Sequence, residues 1–141
     1  MGTMTRDEAI SFLAAGTRTG KLATASAVGV PHVTPVWFVV DGDDLVFTTH
    51  STSVKGRHLT ANPRAALAVD LSEYPYDFVA VRGAVTLSTE ADELLTWATR
   101  IAERYVPAGR AEEYGRRNGS EGELLCRLKL DRVVGVADIA L

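Results

Sequence analysis

Along most of the chain apolar and polar residues alternate with a period of two, and the exceptions fall into helical stripes. Thr5 and Glu8 stand at capping-box spacing, and Ala9, Phe12 and Leu13 share one face before Gly16. This predicts a short helix that lids one end of the fold. Lys21–Ala27 alternates, Val28-Gly29-Val30 turns the chain, and Val33–Val40 is a longer apolar run rich in β-branched and aromatic residues, so the pair reads as a hairpin. Asp41-Gly42-Asp43-Asp44 is a strong turn signal, and Leu45–Thr49 beyond it reads as the third strand of the same meander.

The character then changes. His50-Ser51-Thr52-Ser53 is polar and able to cap, and Val54–Ala61 supplies two helical turns that end at Asn62-Pro63. Strand patterning returns over Ala65–Leu71 and Phe78–Leu87, separated by the proline-containing loop Ser72–Asp77. Glu90–Tyr105 is predicted as a helix, with Ala91, Leu94, Leu95, Ala98, Ile101, Ala102 and Tyr105 in one stripe. Pro107 and Gly109 break it. Arg110–Arg117 reads as a second, polar helix ended by Asn118-Gly119, and Leu124–Leu130 and Val133–Ala137 as two closing strands. A mainly β fold with peripheral helices follows. Closing the sheet into a barrel removes its exposed edges, while a two-sheet sandwich is the alternative that pattern alone leaves open.

The 141 residues, 46% of them apolar, are the size of one domain able to bury its own core. A formal net charge of -3 offers no basic field for a polyphosphate backbone, so small molecules or protein are expected as partners and nucleic acid is not. With one cysteine, Cys126, in an apolar alternation, no internal disulfide forms and the thiol reads as structural. No apolar run suits a membrane span or a secretory leader, and a cytoplasmic location is the expectation. His32, His50 and His58 are dispersed outside any metal-ligand spacing. His32 reads as a strand-end surface residue and His58 as a helix-face residue, so no metal site is assigned. Hydrolase elbows, phosphate-binding P-loops and dinucleotide fingerprints are all absent.

The candidate chemistry lies in Thr48-Thr49-His50-Ser51-Thr52-Ser53-Val54-Lys55-Gly56-Arg57. Hydroxyls stand at a strand end, with two cations just inside a helix start, where free N–H groups and the helix dipole favour a phosphate. Taken alone such a run is an ordinary capped surface helix. The neighbouring Pro31-His32-Val33-Thr34-Pro35-Val36-Trp37-Phe38 changes the balance, because two prolines remove ladder donors and mark an edge or opening against which a planar ring fits.

These residues resemble the pyridoxamine 5'-phosphate oxidase-like flavin and deazaflavin split barrels, especially the deazaflavin-dependent reductase branch of actinobacteria. The resemblance runs nearly end to end, through Gly20–Thr24, Pro31–Phe38, Asp41-Gly42-Asp43, Ser53–Leu59, Asn62-Pro63-Arg64 and Val81-Arg82-Gly83. Arg116–Gly119 and Gly122–Leu125 extend it. It implies a six- to eight-stranded antiparallel split β-barrel that forms a homodimer with cofactor clefts between the subunits. Carried onto this chain, Lys55 and Arg57 match the cofactor-phosphate positions, Thr48, Thr49 and Ser53 its hydroxyl donors, and Thr34, Pro35, Val36 and Trp37 the ring-facing strand. Tyr76, or Tyr74 in its place, closes the cleft from the partner chain.

The cofactor so implied is coenzyme F-420, a 5-deazaflavin with an oligoglutamate tail, or FMN. The likeness favours the deazaflavin. The activity implied is hydride transfer to an electron-poor small-molecule acceptor such as an enone, a quinone or a tetrapyrrole. No catalytic side chain is assigned, because the cofactor carries the chemistry. Two departures stand out: beyond Lys55, Arg57, Arg64 and Lys21 no cation cluster is evident for an anionic tail, and the arginine-leucine-proline ending of true pyridoxamine phosphate oxidases is absent from Lys129–Leu141, which disfavours vitamin B6 oxidation. An FMN-dependent oxidase or reductase, a non-catalytic cofactor or haem-like ligand carrier, and a plain structural dimer are the competing readings.

Overall fold

In the computed structural model, which describes residues 1–141, the chain runs β1 (Gly2–Thr3), α1 (Arg6–Ala14), β2 (Gly20–Ala25), β3 (Pro31–Val36), β4 (Val39–Asp41) and β5 (Asp44–His50). It continues through α2 (Val54–Ala61), β6 (Arg64–Leu71), β7 (Asp77–Ser88), α3 (Ala91–Tyr105), α4 (Ala111–Asn118), β8 (Glu123–Lys129) and β9 (Arg132–Ala137). All the pairings are antiparallel, and the strands follow one another in the order β3-β2-β6-β7-β8-β5-β4, with β9 added to β7 and to β1. Eight of the strands have three residues or more. The result is the expected curled antiparallel sheet with helices at its periphery.

Two expectations need correction. Val33–Val40 is not one strand but two, β3 and β4, which stand at opposite ends of the strand order. The three-strand meander therefore does not form: β3 pairs with β2, while β5 lies between β4 and β8. The chain turns at Trp37-Phe38, and long side chains from α3 satisfy the backbone groups that leave the ladder there. The Phe38 N–H donates to the Tyr105 hydroxyl at 3.4 Å, and its carbonyl accepts from Arg104 Nη1 at 2.7 Å. Arg104 also donates to the carbonyls of Gly16 at 2.9 Å and Leu13 at 2.8 Å, which fastens α3 to the end of α1. Burial lowers the Arg104 pKa and raises that of Tyr105.

The interior is filled by Leu22, Leu45, Phe47, Leu67, Val79, Cys126 and Leu128, inward members of the alternating strands, and by Phe38 from the turn between β3 and β4. β5 and β8 are buried on both faces, because α3 covers the outer one with Leu94 against Val46 and Leu125. Each such leucine contributes roughly 1.5–3 kcal/mol on burial. The expected capping box is present: Thr5 Oγ1 accepts from the Glu8 N–H at 3.2 Å, and Glu8 accepts from the Thr5 N–H at 2.9 Å. No helix is long and apolar enough to cross a membrane.

Candidate functional site

β5 delivers the chain to α2 through a tightly determined turn. The Ser53 Oγ donates to the His50 carbonyl at 2.7 Å and accepts from the Gly56 N–H at 3.0 Å, so it is the helix N-cap. A serine hydroxyl has one proton, and since that proton goes to His50, the 2.9 Å contact with Thr49 Oγ1 is donated by Thr49. Thr49 is only 5% exposed. Gly56 has no room for a side chain, because a Cβ would run into the His50 carbonyl oxygen. Thr49 and Ser53 are thus engaged with each other and with the turn.

In the first turn of α2, Lys55 lines a cavity of about 170 Å³ together with Thr48, Pro35, Val36, Trp37, Ala98, Ile101 and Asn118. Five of the positions singled out from sequence, Pro35, Val36, Trp37, Thr48 and Lys55, meet here. Strand alternation gives them different parts: Val36 is buried and belongs to the core, while Pro35 is exposed. Trp37 stacks on Tyr105 with ring centroids 5.3 Å apart and an interplanar angle of 3°, and Tyr114 tilts against it at 6.0 Å. The cavity therefore joins an apolar wall and a fixed indole to an ammonium, a hydroxyl and an amide. That donor set suits a phosphate-bearing ring, although 170 Å³ is well below the roughly 300–1,000 Å³ usual for a small-molecule site.

Thr34, Thr49, Ser53, Arg57 and Tyr76 lie outside this lining. Arg57 is exposed on α2, and Tyr76 lies in the β6–β7 loop at φ 70°, its ring edge-on to Tyr74 at 6.1 Å. Asn118, Ala98, Ile101, Tyr105 and Tyr114 were not among the residues singled out. The sequence pattern marks Asn118 only as a helix terminator, and the others as members of an apolar stripe or a polar helix. Near Lys55, burial raises the Glu123 carboxyl above its ordinary range, against the pull of His50 and Lys55. Burial also pushes the Cys126 thiol up to about 12, which leaves it protonated and unreactive. His32, at the start of β3, and His58, on α2, meet edge-on at 5.9 Å, and His58 Nδ1 lies 3.0 Å from Thr24 Oγ1. No group of three or more metal-ligating side chains forms.

Residues 6–133 match the family model described as pyridoxamine 5'-phosphate oxidase. A pyridoxine/pyridoxamine 5'-phosphate oxidase of Rhodopseudomonas palustris is 39% identical over 88 residues, which is 62% of this chain and 41% of that protein. The match thus spans less than half the length of this curated relative. Among solved structures, a conserved hypothetical protein of Mycobacterium tuberculosis superposes with a TM-score of 0.83 at 22% identity, over 98% of this chain and 89% of that one. This shows likeness of fold. An F-420 reductase superposes with a TM-score of 0.64 at 26% identity, over 84% of this chain and 90% of its own.

Proposed function

The chain belongs to the pyridoxamine 5'-phosphate oxidase family, and on that premise we propose that it is an oxidoreductase using a flavin-type cofactor, with coenzyme F-420 its preferred form. The observation that carries this reading is the cavity in which Lys55, Thr48 and Asn118 meet the Pro35–Trp37 corner. Lys55 holds the cofactor phosphate, Thr48 and Asn118 donate to or accept from its polar chain, and the Pro35–Trp37 backbone supports the ring. When bound in reduced form, the ring supplies a hydride to an electron-poor acceptor of the enone, quinone or tetrapyrrole type. The protein's share is to orient that ring and exclude water, with the Trp37–Tyr105 stack keeping the wall rigid.

The small size of the cavity supports a second wall contributed by another copy of the chain. The surface suited to that contact is the outer face of β3, β2, β6, β7 and β9. There Ala23, Ala66 and Ala68 are exposed, flanked by Val33 at 66% and Val134 at 38%. In this homodimer Tyr76 approaches the partner's cleft, and Arg57 adds charge at its mouth.

FMN is the second reading, favoured because the family model and the curated relative, 39% identical over 88 residues, are pyridoxamine 5'-phosphate oxidases. Fluorescence-quenching titrations with the deazaflavin coenzyme and with FMN, in parallel at two salt concentrations, separate the two. Tight and salt-sensitive deazaflavin binding with weak FMN binding is expected. Preference for FMN would select the second reading, and binding of neither would remove the cofactor assignment.

A further inference from the structure

Glu123 opens β8 directly opposite His50 of β5, on the face of that ladder which α3 covers. Thr48 stands diagonally from it, because Thr48 pairs with Leu125. Thr48 borders the Lys55 cavity, while Glu123 lines a neighbouring cavity of about 460 Å³ with Ser51, Thr89, Leu94, Ser120 and Glu121. The two cavities meet at the end of α4, where Asn118 lines one and Gly119 the other. Glu123 therefore stands between them, away from the sheet face suited to a second copy.

Its Oε2 is buried and has no hydrogen-bond partner. His50 does not supply one: its Nδ1 accepts from the Thr52 N–H at 3.2 Å, and its Nε2 is turned to Gly122, where a Cβ would stand only 2.7 Å away. No ion pair joins Glu123 to Lys55 either. The charges acting on this carboxyl are His50 and Lys55, and burial outweighs both, which holds it above its ordinary range. Of the other groups around it, Glu121 is exposed in the same turn, Cys126 keeps its proton, and α3 presents only Ala91 and Leu94 to this cavity. A carboxylate here and a phosphate at Lys55 are like charges in a partly desolvated place, and each disfavours the ionisation of the other. Resting on the assignment of Lys55 to the cofactor phosphate, we propose that Glu123 is a positioning residue for Lys55. Ionised, it draws the ammonium toward itself and weakens the site; as the phosphate binds it takes up a proton from solvent, which leaves Lys55 to the ligand.

Titrations with coenzyme F-420 and with FMN at about pH 5, 6.5 and 8 test this on wild type, Glu123→Gln and Lys55→Gln. Calorimetry in two buffers of unlike ionisation heat counts the protons taken up. Wild-type affinity is expected to fall more steeply with pH than that of Glu123→Gln, whose remaining slope belongs to His50 and the phosphate itself. The two should converge at the lowest pH, and at the highest Glu123→Gln is expected to bind at least about threefold more tightly. It should also take up fewer protons on binding. Its Tm is expected to equal or exceed that of wild type, since it buries no charge. Superimposable pH profiles, equal proton uptake, or weaker binding by Glu123→Gln at the highest pH would overturn the proposal even where Lys55→Gln loses affinity. Wild-type affinity in Lys55→Gln, or binding of neither cofactor, would remove the phosphate site and this proposal with it.

Discussion

The indole of Trp37 lies parallel to the ring of Tyr105, 5.3 Å between centroids, and the Tyr105 hydroxyl donates to the Arg18 carbonyl at 3.0 Å. One residue of α3 thereby fixes both the corner between β3 and β4 and one wall of the cavity. Tyr105→Phe keeps the stack but loses both hydrogen bonds of the hydroxyl, the one accepted from the Phe38 N–H and the one donated to the Arg18 carbonyl, and is expected to destabilise by roughly 1–3 kcal/mol in urea unfolding. Tyr105→Leu loses the stack too, which adds roughly 0.5–1.5 kcal/mol. Equal stability of the phenylalanine variant and wild type would mean that the hydroxyl does not hold the corner.

The Thr49–Ser53 pair makes a different prediction, because its two members are unequal. Ser53→Ala removes the cap and leaves the buried Thr49 hydroxyl without its acceptor, so a loss of about 2 kcal/mol is expected. Thr49→Val removes only a donor, and about 1 kcal/mol or less is expected. With both changes the loss should fall below the sum, since no orphaned hydroxyl remains. Strict additivity in a double-mutant cycle would show that the two hydroxyls are not coupled.

Cys126 links burial to pH. Its thiol is raised from 9.0 to about 12 by burial, with Lys55 pulling the other way. The folded protein therefore keeps a proton that the unfolded chain releases. Stability from this group is complete below the unfolded value and declines as pH rises from about 9 toward 12, by at most about 1.4 kcal/mol per pH unit. Cys126→Ala lowers stability at every pH by leaving a small cavity, but it should flatten that slope. Unfolding at pH 8, 9 and 10 (roughly spanning the unfolded thiol's titration) checks this, and parallel slopes in both proteins would exclude the thiol as the cause.

Lys55 and Arg57 stand two positions apart on α2 and so face different ways, and only Lys55 borders the cavity. Neither forms an ion pair, so replacing either should leave Tm nearly unchanged. Lys55→Glu is expected to abolish cofactor binding, and Lys55→Gln to weaken it at least about tenfold. Arg57→Gln, an exposed and screened charge, should change affinity by less than about threefold. Retained affinity in Lys55→Glu would remove the phosphate site.

Most of this fold was legible because its elements carry clean periods: the α3 stripe, the capping box at Thr5 and the alternation of β6 all stand where the pattern put them. The corner at Trp37-Phe38 was not legible. Val33–Val40 is apolar throughout, and the groups that end the strand, Arg104 and Tyr105, lie more than sixty residues away in sequence. The cavity was half legible for the same reason. Its strand and α2 residues are close in the chain, whereas Asn118 reaches it through tertiary packing of α4 on α3. The His32–His58 contact joins β3 to α2 and carries no local signal.

The outer sheet face is built from β3, β2, β6, β7 and β9. Across it, ladder pairing sets Pro35, Lys21, Ala68, Ala80 and Val134 in one row and Val33, Ala23, Ala66, Arg82 and Arg132 in the next. Small side chains in the middle of both rows leave a flat surface on which another copy can approach closely. Ala68 sits near its centre and is exposed, so Ala68→Glu should leave the isolated fold within about 0.5 kcal/mol of wild type. Against a second copy, the same change buries a larger, charged side chain on each side of the contact, and even with Lys21 of its own chain opposite it the desolvation costs several kcal/mol. Light scattering is therefore expected to find a dimer for wild type and a monomer for Ala68→Glu. Cofactor affinity should fall together with the dimer, since the proposed homodimer puts the second wall of the site on the partner. A monomeric variant that binds cofactor as tightly as wild type would instead mean that one chain completes the site.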